Sequence, residues 1–187
     1  MPFSTDQPAG EMRGPLALVA QHARRVAELC DLLEAIADDL PRQPKPIWSE
    51  VRRLCGATIQ QHYDEVLRAL VPVLMRRTRG DADCEDMLNR MRLDYVDGQV
   101  RLPELEELLN DASRVNGPGL GANALGFALR SFFETIRRQT DWEMDVLLPM
   151  ARRRLTPSDL AEVKSALDSL DTWDAPKLPN VSAVGKA

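Results

Sequence analysis

Four stretches of the chain repeat apolar residues at alternating steps of three and four, the spacing that lines up side chains on one face of an α-helix. The first runs Val19, His22, Val26, Leu29, Leu33, Ile36 and Leu40, and the second Val51, Cys55, Thr58, His62, Val66, Ala69 and Val73. The third carries Cys84, Leu88, Met91 and Tyr95, then Leu102, Leu105 and Leu108 or Leu109. The fourth carries Leu125, Leu129, Phe132 and Ile136, then Val146, Leu147 and Met150. No segment alternates with period two, so no strand is expected.

Prolines and glycines mark the ends. Pro15 suits the first turn of a helix. Pro41 stops that helix, and Arg42–Pro46 reads as a non-helical linker, with the second helix starting near Ile47 and Trp48. Pro72 should bend the second helix. Thr78–Asp81 reads as a turn, and Gly98 and Pro103 predict a kink or break in the third helix. Asn116–Gly121 reads as a loop. Thr156 and Pro157 form a start signal, N-cap and first helical position, for a short fifth helix ending near Leu170. Together these predict an all-α fold over residues 15–171: an up-down antiparallel four-helix bundle with a short fifth C-terminal helix. Residues 1–14 and 172–187 are expected to be mobile tails.

Composition narrows the function classes. The 187 residues suit one domain with a single good core. A net charge of −5 gives no case for nucleic acid, and the arginine runs at 76–77 and 152–154 fall at helix ends, where they complement the dipole. No apolar run approaches the ~20 residues of a membrane span. The start of the chain lacks the basic and apolar regions of a signal peptide, so a cytoplasmic location is expected. Cys30, Cys55 and Cys84 are odd in number and lack metal-ligand spacing, which reads as free, mostly buried thiols. Cys30 lies eight residues past His22 and Cys55 seven before His62, so the two are expected near each other at one end of the bundle.

The polar exceptions carry the chemistry. His22 and His62 occupy inner positions of the first two stripes, and Gln139 and Glu143 fill a gap in the fourth, one turn apart. An unpaired buried carboxylate costs several kcal/mol or takes up a proton, so Glu143 must face a partner. A short internal repeat lays His62–Pro72 over Gln139–Pro149, pairing His62 with Gln139, Val66 with Glu143 and Pro72 with Pro149. A shift by one residue would instead use Gln61 with Glu65, but it breaks the spacing to Pro72.

With His22, the His62–Pro72 segment and Trp142–Leu160, the chain resembles the hemerythrin-like family of bacterial HHE cation-binding domains. The likeness spans most of residues 15–170. It implies a His on the first helix, His-x-x-x-Glu on the second, a His on the third and a second His-x-x-x-Glu on the fourth, together holding two irons. By position, His22, His62 and Glu143 match. Val66, Tyr95 and Gln139 stand where a Glu and two His would be. Gln139 is a weak neutral oxygen donor, and Tyr95 could serve iron as a phenolate. His22, His62 and Glu143 make a set suited to one non-heme iron.

Three readings stay open at this point. The first is a hemerythrin-like binding or sensing protein with an altered site, taking a small gas ligand if iron binds. The second is a metal-free structural or interaction bundle, a homodimer or another protein's partner, whose relic polar layer closes by hydrogen bonds around Glu143 and specifies packing or senses pH. The third is a mononuclear iron oxidoreductase.

Overall fold

The computed structural model describes residues 14–40, 45–114 and 121–170. Apart from Gly14, the expected tails lie outside these residues, as do most of the Asn116–Gly121 loop, Pro41 and positions 42–44 of the linker. Every regular element among the described residues is helical: α1 (Pro15–Asp38), α2 (Lys45–Asp64), α3 (Val71–Arg77), α4 (Ala82–Arg114), α5 (Ala122–Trp142), α6 (Leu148–Arg154) and α7 (Pro157–Ser169). Two π-helical turns, π1 (Glu65–Leu70) and π2 (Glu143–Leu147), join α2 to α3 and α5 to α6.

Each π turn has a visible cause. Pro72 and Pro149 are the second residues of α3 and α6. A proline donates no hydrogen bond, and its ring crowds the carbonyl four residues back. The residue before each proline bonds five residues back instead: Val71 N–H reaches Val66 O, and Leu148 N–H reaches Glu143 O. The widened turn adds a residue to the helix without breaking it. It also changes the buried face, since Leu147 and Leu148 are buried and Val146 is only half-buried.

Two boundary expectations are corrected. The second helix starts at Lys45 rather than near Ile47, so Pro46 falls in its first turn, where its missing N–H has no intrahelical partner to lose. The expected break at Gly98 and Pro103 is absent, and α4 is continuous for 33 residues. Buried Leu102, Leu105 and Leu109 hold its second half in place despite the proline. At Gly98 a Cβ would overlap the phenol of Tyr63, so the glycine lets α2 approach α4.

α1 packs on α2 and α5, and α4 packs on the same two helices, so the four close a ring around one core. Trp48, Leu54, Leu29, Leu33 and Leu88 are fully buried inside it. Cross-links fix the ring's register. Arg130 reaches the Ala37 carbonyl at 3.1 Å and Asp38 at 2.7 Å, and Arg137 reaches Asp31 and Glu34, both at 2.8 Å. The turn at 78–81 carries Gly80 at φ +88°, a conformation suited to glycine. α7 opens with a reciprocal capping box between Thr156 and Asp159, as its start signal predicts. Arg77 holds Asp159 at 2.7 Å, tying α7 to α3 and keeping that carboxyl well below the usual carboxylate range, with Thr156 adding to the effect. No helix of the described residues is long and apolar enough to cross a membrane.

Candidate functional site: a buried layer of two histidine–carboxylate pairs

Two carboxylates lie inside the ring, Glu65 at 3% exposure and Glu143 at 0%. Each is the first residue of a π turn. Glu143 Oε2 accepts from His62 Nε2 at 2.8 Å and from the Tyr95 hydroxyl at 2.7 Å. Glu65 lies 2.7 Å from His22 Nδ1 through both of its oxygens, and Gln61 donates to it at 2.9 Å. Gln139 stands beside the pairs rather than in them. It accepts from the Tyr63 hydroxyl at 2.9 Å and donates to the Asp94 carbonyl at 2.7 Å. The rings of Tyr63 and Tyr95 pack tilted at 54°, 5.0 Å between centroids.

His22, His62 and Glu143 are therefore not gathered into one set. His22, half-buried, faces Glu65, whereas His62, fully buried, faces Glu143. Among the described residues no three His, Cys, Asp or Glu side chains form a group that could hold a metal ion. The carboxylate that the second helix supplies is Glu65, four residues after Gln61, and Val66 is a buried apolar neighbour. Gln61 and Glu65 thus correspond to Gln139 and Glu143. The spacing to Pro72 that opposed this register is absorbed in the π turns, six residues long in π1 and five in π2. Tyr63 and its contact at Gly98 belong to the layer and were missed in the pattern. Their only sequence signal is a glycine in the middle of a long helix.

Electrostatics favour the charged form of His62. Burial disfavours the imidazolium of His62, but the charge and hydrogen bond of Glu143, and Glu65 beyond it, outweigh burial and hold His62 above its ordinary value of 6.5. Burial, then Glu143, pushes Tyr95 well above its ordinary value, so it stays a phenol and a donor. Two buried atoms of the layer, Glu143 Oε1 and His62 Nδ1, have no hydrogen-bond partner among the described residues. Cys30 and Cys55 are free, and burial pushes Cys30 up to about 12. Cys55 is raised by burial and then by Cys30, and neither thiol is a ready nucleophile.

The sign of the pH effect follows. A histidine raised in the native state adds stability that is complete below its unfolded value and fades as pH rises through its native value. Unfolding free energy is therefore expected to fall as pH climbs above 6.5, and to fall less in His62→Gln. Urea titrations at stepped pH read this directly, and equal slopes in the two proteins would contradict it. Asp159, depressed in the native state, acts only in acid and leaves this window alone.

Two grooves reach the layer from outside. One of about 840 Å³ between α4 and α5 ends on Tyr95, Gln139 and Trp142, and one of about 690 Å³ beside α7 ends on Gln61. No family model matches the sequence, and comparisons with curated proteins and with solved structures find no match either.

Proposed function

We propose that the chain is a hemerythrin-like protein of the up-down antiparallel bundle type, in which histidine–carboxylate pairs take the place of the family's metal layer. It acts without catalysis, as an interaction or sensing module of the cytoplasm. The contacts support opposite directions for neighbouring helices: His22 with Glu65, Tyr63 with Gly98 along with Gly56 by Glu106, and Arg130 with Asp38 along with Arg137 by Asp31. Three free cysteines suit a reducing compartment.

The observation that carries the reading is that both buried carboxylates are already engaged, each by an imidazole and a second donor. The family's two-iron centre draws on four imidazoles, and this layer has two, both committed to carboxylates. The residues do not fit that centre.

A second reading is favoured by one observation. Glu143 Oε1 is buried without a partner among the described residues, and one divalent ion such as iron, held by Glu143 with His62 in place of their mutual hydrogen bond, would engage it. Elemental analysis of untagged protein, with an optical spectrum before and after ferrous iron in air, separates the two. Metal well below one per chain is expected. Stoichiometric iron that is lost in His62→Ala would overturn the first reading and establish the second.

A further inference from the structure

We propose that the outer face of α4 is a homodimer interface, in which α4 packs against α4 of a second copy about a two-fold axis, the helices running in opposite directions. The inference stands on α4 alone and does not rest on the reading of the polar layer.

Leu93, Val96 and Val100 are 64%, 45% and 63% exposed, at spacing i, i+3, i+7. That spacing forms one stripe along a helix, the seam by which two helices pack. Asn89 and Pro103 extend the stripe by a turn at either end. Within the chain α4 already packs on α2, α3 and α5 through its other faces, so the stripe is left over. A contiguous apolar stripe that faces water on the longest helix marks a contact site.

Charge identifies the occupant. A face that pairs with itself is isologous, each residue meeting its symmetry counterpart. With the axis crossing near Gly98, Val96 of one copy meets Val100 of the other, and Leu93 meets Pro103. Arg90 and Glu104 flank the same edge of the stripe, one toward each end. Both are exposed, and neither has an ion-pair partner among the described residues. In opposite-running helices Arg90 of each copy comes beside Glu104 of the other, twice by symmetry. The Asp97 carboxylates approach each other near the axis, and each is already neutralised by Arg101 of its own helix at 2.8 Å.

Sedimentation velocity over a concentration series tests this with the full chain. A concentration-dependent dimer is expected. Val100→Glu should give monomer with unchanged circular dichroism, and with a melting temperature equal to that of the native chain at dilutions where the native chain is monomeric. Arg90→Glu and Glu104→Arg should each raise the dissociation constant at least about tenfold, because like charges then face each other. The double swap should return it close to the starting value. A chain that stays monomeric, a dimer indifferent to Val100→Glu, or a double swap no better than the singles would each overturn the proposal.

Discussion

Glu143→Ala is expected to remove about 3–5 kcal/mol of folding stability, the cost of leaving one partner of a buried ion pair uncompensated. The residue is inaccessible to water and accepts from both His62 and Tyr95. Its removal strands an imidazole and a phenol that have no other hydrogen-bond acceptor among the described residues, together with the cavity of the lost side chain. Glu143→Gln should cost less, because the amide oxygen still accepts from Tyr95 while the charge that holds His62 protonated is gone. The decisive comparison is a double replacement. His62→Met with Glu143→Leu removes both charges and refills the space, and such exchanges are often close to neutral. The double variant should therefore lose less stability than the sum of the losses in His62→Met and Glu143→Leu, a non-additivity readable from urea midpoints. A loss below about 1 kcal/mol for Glu143→Ala, or simple additivity of His62→Met and Glu143→Leu, would show that the pair does not hold the core.

The same pair shows how far the sequence could be read. Periodicity found the long helices of the described residues, because burial of one face leaves a spacing that survives in the residue order. It also marked His22, His62, Gln139 and Glu143 as polar side chains on inner faces. Partner choice was less legible. His22 and His62 looked alike along their stripes, yet one faces Glu65 and the other Glu143. That division depends on the π turns, and a strict 3.6-residue period assigns the inner position to Val66 alone. With the extra residue of π1, Glu65 and Val66 are both buried. The prolines that place these turns were visible, but Pro72 signalled only a bend. Starts and stops were legible where a side chain acts locally, as Thr156 does at α7. The continuity of α4 was not, because contacts with other helices override the weak local propensity of Gly98 and Pro103. The hemerythrin-like resemblance rests on inner-face positions whose register the π turns alter, and its bearing on metal lies in the elemental analysis proposed above.

Gly98→Val is expected to cost about 1–3 kcal/mol, the range for forcing extra methyl groups into a packed site. Any Cβ at position 98 meets the Tyr63 phenol, with Cζ 2.9 Å away and the hydroxyl nearer still. The helix itself would gain from exchanging a glycine for valine, by a few tenths of a kcal/mol, so a net loss measures the contact and not the backbone. Tyr63 cannot yield freely, because its hydroxyl is bonded to Gln139, which in turn is fastened to the Asp94 carbonyl on α4. Tyr63→Phe removes the atom nearest the new side chain but leaves Gln139 Oε1 without that donor, a loss of about 1–3 kcal/mol by itself. In the double variant the hydroxyl contact is gone and the ring is freed from Gln139, so the clash is partly relieved and Gly98→Val should cost less in the Tyr63→Phe background than in the native one. Urea denaturation of the four proteins gives the coupling. Equal costs in both backgrounds would mean that Gly98 is not there for Tyr63, and that something else keeps α2 and α4 at this distance.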